Sequence, residues 1–147
     1  MLCQKIRQCD LPTVSALAYL GDAVHSLCVR RLLVARGISR AEELNRAALD
    51  YVTAAAQARA FREIKPLLTD AEQDVARRAM NSGHLNRPRH ASGADYRAAT
   101  AFEAVLGMLD YLGDGERIAL LFAEAERVLF ESNNKEESGQ HQSATAE

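Results

Sequence analysis

The chain is 147 residues long and 48% apolar, enough for one domain with a real hydrophobic core and too apolar for a disordered protein. No apolar run approaches the ~18 residues that a membrane-spanning helix needs, because arginines and acids interrupt every candidate. The net charge of −2 hides an uneven distribution: residues 30–97 hold 13 of the 18 Lys and Arg but 8 of the 20 acids, and residues 98–147 hold ten acids against three bases. A central basic segment in a mildly acidic protein suits either a polyanion surface or arginines that solvate helix faces. Met1 to Asp10 is polar and lacks the apolar core of a signal peptide. Cys3, Cys9 and Cys28 show no CxxC spacing, which points to free thiols in a reducing compartment and argues against zinc. The expectation is a cytoplasmic protein with no membrane association.

In chain order, the pattern predicts helices joined by short polar punctuation, with Ala and Leu abundant and little strand signal. From Thr13 to Ala35, Leu17, Leu20, Val24, Leu27, Cys28 and Leu32 recur at three- and four-residue intervals, and Gly37 suits a C-terminal cap. Ser39 with Glu42 reads as a capping box for a helix to about Tyr51. Thr53 to Ile64 is Ala-rich and helical, ended by Pro66. Thr69 with Glu72 is a second capping box, opening a helix to about Asn81. Ser82 to Gly93 reads as a basic loop. Tyr96 to Leu112 is helical with Phe102, Val105, Leu106 and Leu109 on one face, Gly113 stops it, and Asp114 caps a last helix over Ile118 to Phe130. The expected domain is 11–131, with a short N-terminal segment, 1–10, and a disordered polar tail, 132–147.

Two acids sit where a structural helix would not choose them. Asp22 interrupts Ala16-Leu17-Ala18-Tyr19-Leu20-Gly21, and Glu103 interrupts Thr100-Ala101-Phe102 and Ala104-Val105-Leu106-Gly107. A carboxylate in such surroundings costs several kcal/mol unless it is paired, hydrogen-bonded or bound to a metal. Brought together, the two would offer hard oxygen ligands for Mg²⁺. Periodicity alone leaves another reading open, in which each acid pairs with Arg30, Arg31 or Arg97 or points to solvent. His25, one turn from Asp22, reads as a core or rim histidine more readily than as part of a site.

Leu17-Ala18-Tyr19-Leu20-Gly21-Asp22-Ala23-Val24 resembles the signature helix of ribonuclease III domains, L-E-F-L-G-D-A-V. Thr100-Ala101-Phe102-Glu103-Ala104-Val105-Leu106-Gly107 resembles that family's D-x-x-E-A-L-I-G helix. Tyr51-Val52-Thr53-Ala54-Ala55-Ala56-Gln57-Ala58 and Tyr96-Arg97 are similar to the Mini-ribonuclease III branch. The likeness covers about residues 11 to 130. Ribonuclease III proper carries four acids per site; two of the matching positions here hold Ala18 and Thr100, a loss the Mini branch shares.

The resemblance implies an all-α, ribonuclease III endonuclease-domain-like helical bundle that is homodimeric, pairing through helices near Asp22 to form a valley for double-stranded RNA. It implies Asp22 and Glu103 as catalytic and metal-binding residues, Mg²⁺ as cofactor, and products with 5′-phosphate and 3′-hydroxyl ends. The implied role is maturation of large-subunit (23S) ribosomal RNA precursor in bacteria or plastids, with room for a ribosomal-protein helper. Only about 16 residues follow Glu131, too few for a separate RNA-binding domain. The expected RNA contacts are therefore Arg77, Arg78, His84, Arg87, Arg89 and Arg97 of the catalytic domain. Two rivals stand beside this: a non-catalytic RNA-binding or ribosome-associated relative, and an all-α nucleotide pyrophosphohydrolase, for which Glu42-Glu43 is a poor match.

Overall fold

The computed structural model describes residues 10–82 and 92–140, with side chains described as far as Leu129. Among the described residues, six α-helices run in the order α1 (Val14–Ala35), α2 (Ala41–Val52), α3 (Ala54–Ile64), α4 (Asp70–Ser82), α5 (Gly93–Tyr111) and α6 (Gly115–Gln140), with a 3₁₀ turn at Lys65–Leu67. The described residues contain no strand.

Helix α5 is the centre of the bundle. Ala98, Ala99, Ala101, Phe102 and every residue from Ala104 to Leu109 are buried, so this helix is enclosed on nearly all sides. Helices α1, α3, α4 and α6 pack around it, and α2 lies against α1.

Helix ends follow local chemistry. Thr13 and Thr53 accept from the amides of Ala16 and Ala56, each at 3.2 Å. The Thr69–Glu72 capping box forms in both directions, Thr69 N–H to Glu72 Oε2 at 2.9 Å and Glu72 N–H to Thr69 Oγ1 at 3.3 Å. The Glu72 side chain then takes two hydrogen bonds from Arg117, each 2.9 Å, and Arg117 Nη2 also donates to the Leu67 carbonyl at 2.7 Å. Burial pushes the Glu72 carboxyl up, but the hydrogen bonds from Arg117 and Thr69 outweigh it and hold the group below the usual carboxylate range. Asp114 Oδ1 caps α6 by accepting from Arg117 N–H at 3.0 Å. Gly37 and Gly113 end α1 and α5 with φ of 88° and 75°, a conformation that favours glycine.

Several expectations change in the fold. The Ser39–Glu42 capping box does not form: Arg40 is the N-cap residue of α2 without a side-chain cap, and Glu42 and Glu43 support the first turn through the helix dipole instead. Helix α5 starts at Gly93, three residues before Tyr96, because Ser92 caps it by accepting from Asp95 N–H at 3.0 Å. Helix α6 carries helical backbone to Gln140, ten residues past Phe130, so the tail expected to be disordered from Ser132 is helical as far as Gln140. The stretch Asn133 to Glu137 holds Lys135, Glu136 and Glu137, residue types that favour helix. Residues 1–9 and 83–91, which contain Cys3, Cys9 and most of the expected basic loop, lie outside the described residues.

The buried stripe of α1 is also rotated. Leu17, Ala18, Gly21, His25, Val29 and Leu33 face inward, while Leu27 is 50% exposed. The reason is steric. A Cβ on Gly21 would lie 1.6 Å from the Glu103 carbonyl oxygen, and one on Gly107 would lie 1.8 Å from the Leu17 carbonyl oxygen. Helices α1 and α5 thus touch backbone to backbone, and large side chains are driven to the shoulder of the contact.

Gly21→Ala and Gly107→Ala are therefore expected to destabilise the fold by at least ~3 kcal/mol each, the upper end of overpacking costs, because backbone cannot swing aside as a side chain can. Chemical denaturation with circular dichroism measures this; a loss under ~1 kcal/mol for either variant would refute the backbone contact.

Candidate functional site

The glycine crossing sets the site. Asp22 follows Gly21 directly, and the carbonyl that Gly21 touches belongs to Glu103. The two acids from different helices are thereby drawn together. Asp22 is exposed and Glu103 half-buried, so the argument from a misplaced buried acid applies to Glu103 alone. Burial and then the negative charge of Asp22 push the Glu103 carboxyl up to about 7, against a hydrogen bond from Gln57 that favours its charged form.

Neither acid has an ion-pair partner among the described residues, and Arg30, Arg31 and Arg97 form no ion pair with either. Two repelling carboxylates without a cation are a poor structural element and a good receptor for a hard divalent ion. The residues present therefore fit Mg²⁺ on the chemistry of the donors. No group of three or more His, Cys, Asp or Glu side chains suited to a metal occurs among the described residues, so among them the site offers the Asp22 and Glu103 carboxylates. Ala18 is buried, and the Thr100 hydroxyl donates to the Tyr96 carbonyl at 2.9 Å.

Gln57 is the residue that sequence reasoning missed. It is 3% exposed on α3, whose neighbouring Ala56, Ala58 and Ala60 are fully buried. Its signal was a polar side chain on the buried face of an Ala-rich helix, within the stretch already quoted as similar to the Mini branch. His25 is a core residue. Its ring is fully buried, Nε2–H donates to the Tyr51 carbonyl at 2.9 Å, and the edges of Phe102 and Phe122 pack around it. Burial holds it below the ordinary histidine value, so it is neutral at pH 7. Cys28 is free and packs against the core, and burial pushes its thiol up.

The expected RNA contacts divide. Arg77 Nη2 and Arg78 Nε both pair with Asp74, at 2.5 and 3.1 Å, so part of their charge is already met midway along α4. Arg97 is exposed on α5. His84, Arg87 and Arg89 lie outside the described residues.

The raised Glu103 value has a consequence for stability. The folded chain holds this proton more tightly than the unfolded chain, so the favourable contribution is present below about pH 4.5 and lost as pH rises through 7. Above pH 7, without metal, the ionised carboxylate costs on the order of 2–3 kcal/mol. Glu103→Gln is expected to raise the melting temperature at pH 8 in EDTA and leave it nearly unchanged at pH 4.5. Equal shifts at both pH values would show that Glu103 is not strained in the fold.

Comparison with known proteins bears on the same segments. The family model described as the ribonuclease III domain matches residues 15–114, from the start of α1 through the end of α5. The Mini-ribonuclease 3 of Symbiobacterium thermophilum is 46% identical over 103 residues, 70% of this chain and 79% of that protein. The Mini-ribonuclease 3 of Brevibacillus brevis is 40% identical over 119 residues, 81% and 89% of the two chains. The crystal structure of protein FN1578 from Fusobacterium nucleatum superposes with a TM-score of 0.72 at 27% identity, covering 80% of this chain and 95% of that one. With the helix order, the α1–α5 crossing and these matches in agreement, the chain belongs to the ribonuclease III family, in its Mini-ribonuclease 3 branch.

Proposed function

We propose that this endoribonuclease cuts double-stranded RNA as a Mg²⁺-dependent homodimer, with Asp22 and Glu103 holding the metal and carrying catalysis in each subunit. The observation that carries the reading is the Asp22–Glu103 pair: two acids from separate helices, converging without a cationic partner among the described residues, one of them pushed up to about 7. When bound there, Mg²⁺ supplies a hard positive charge that activates water and offsets the charge of the scissile phosphodiester. Glu103 would have to shed its proton to serve as a ligand, and the exposed Asp22 would supply a second carboxylate. Hydrolysis leaves 5′-phosphate and 3′-hydroxyl ends.

The dimer reading rests on α1. Tyr19, three residues before Asp22, is 86% exposed, and Leu27 and Val34 are 50% and 60% exposed farther along the same helix. Apolar groups of this size left in water favour a second copy beside the site. RNA would be held by Arg77, Arg78 and Arg97, together with His84, Arg87 and Arg89. We propose large-subunit (23S) ribosomal RNA precursor in the cytoplasm as the natural substrate, a reading that the likeness of the Asp22 and Glu103 helices to the Mini branch supports.

The test is incubation with a long RNA duplex at low salt, with Mg²⁺ or EDTA. Cleavage is expected with Mg²⁺ alone, and Asp22→Asn or Glu103→Gln should lower it roughly 100-fold or more. Duplex binding without cleavage would favour the non-catalytic relative, and pyrophosphate release from nucleoside triphosphates would favour the pyrophosphohydrolase. Because a proton competes with the metal at Glu103, the Mg²⁺ concentration for half-maximal rate should rise as pH falls from 8 to 6, by up to about tenfold per unit below 7. A requirement for Mg²⁺ that is flat over this range would remove Glu103 from the metal site.

A further inference from the structure

We propose that Gln57 is a positioning residue for the metal site: its buried side-chain amide donates to the Glu103 carboxylate and fixes which oxygen lone pairs remain for the ion. The inference rests on the metal-nuclease reading and extends it to a residue on a third helix.

A glutamine amide buried to this degree costs roughly 1–3 kcal/mol unless it is hydrogen-bonded. No Gln57 atom is among the buried polar atoms left without a partner. Its partner is the Glu103 side chain, and the bond favours the charged carboxylate, so the amide N–H is the donor. The amide is also the suitable donor chemically. Lysine or arginine in its place would neutralise Glu103 and compete with the metal, whereas a neutral amide orients the carboxylate and leaves its charge intact.

The helix that carries Gln57 is pinned at both ends. Thr53 caps its first turn, His25 grips the Tyr51 carbonyl just before it, and Arg62 pairs with Asp95 of α5 at 2.7 Å. The part of α3 beyond Gln57 is thus tied to α5, and the α2–α3 junction before it is held by α1. Such outer partners of metal ligands typically contribute 10–100-fold in metal affinity or activity.

The experiment compares wild type, Gln57→Met and Asp22→Asn, reading Mn²⁺ affinity by electron paramagnetic resonance without RNA, duplex affinity in EDTA, and the Mg²⁺ dependence of cleavage. Methionine keeps the volume and removes the donor. Gln57→Met is expected to weaken Mn²⁺ binding about tenfold, raise the half-maximal Mg²⁺ concentration similarly, and leave duplex binding in EDTA unchanged. Saturating Mg²⁺ should recover most of its cleavage rate, which a misfolded site would not do. If Gln57→Met fails to fold, Gln57→Asn, a methylene too short to reach, carries the same expectations. Unchanged Mn²⁺ affinity in the folded variant overturns the role of Gln57 while the nuclease reading stands. Weakened duplex binding with unchanged metal affinity overturns it too, placing Gln57 at an RNA surface. Wild type that binds no Mn²⁺ more tightly than Asp22→Asn removes the metal reading, and the inference falls with it.

Discussion

Everything in this molecule is arranged around a place where two helices meet with no side chains between them. Gly21 and Gly107 each cost the helix that carries them about 1 kcal/mol relative to alanine. In exchange, the carbonyls of Glu103 and Leu17 approach to distances that any Cβ would forbid. That approach leaves the residue after Gly21 and the residue four before Gly107 little choice but to be neighbours. The same contact explains a second feature. With small residues, Ala18 and Gly21, at the point of closest approach, several of the larger apolar side chains of α1 lie on its flank, and Tyr19, Leu27 and Val34 are left in water. One packing decision thus produces both the acid pair and the apolar surface beside it.

Among the described residues, the contrast between Glu72 and Glu103 separates an acid committed to the fold from one left without a cationic partner. Glu72 receives hydrogen bonds from Arg117 and from the Thr69 backbone, and is held below the usual carboxylate range. It ties the start of α4 to the start of α6 and has no unmet demand. Glu103 has one neutral donor in Gln57 and a like charge in Asp22, and is held above that range. A fold that needed Glu103 only for stability would have given it an arginine, as it did Glu72. The neutral His25 belongs with Glu72: its bond to the Tyr51 carbonyl fixes the α2–α3 junction, and through α3 the position of Gln57.

Local signals were legible where local chemistry decides the outcome. The Thr69–Glu72 box, the Asp114 cap and the Gly37 and Gly113 stops are all short-range hydrogen-bond or φ requirements, and each could be read from adjacent residues. The acid pair was legible because two octapeptides carried it. The inward face of α1 was not, since the rule that large apolar residues mark the core fails where helices touch by backbone. Ser39 misled because a capping motif records a preference that tertiary packing can shift by one residue. Gln57 was invisible for a different reason: a polar residue in an Ala-rich helix gains meaning only from the helix opposite, and no short-range pattern encodes that pairing.

The reduced number of acids has its own physical logic. Ala18 is buried against the core and Thr100 has turned its hydroxyl to the Tyr96 carbonyl, so neither vacates a place for a further carboxylate. A site with two acids suffers far less internal repulsion without metal than one with four, and folds at smaller electrostatic cost. As proposed, such a site would also hold an ion less firmly, because Mg²⁺ with two protein carboxylates would depend more on water and substrate to complete its shell. On the proposed reading, metal and RNA then bind with mutual reinforcement, each supplying ligands or charge that the other lacks. Such coupling suits a domain in which two of the described candidate RNA contacts, Arg77 and Arg78, are partly committed to Asp74, since on this reading the metal contributes to holding the RNA as well as to cutting it.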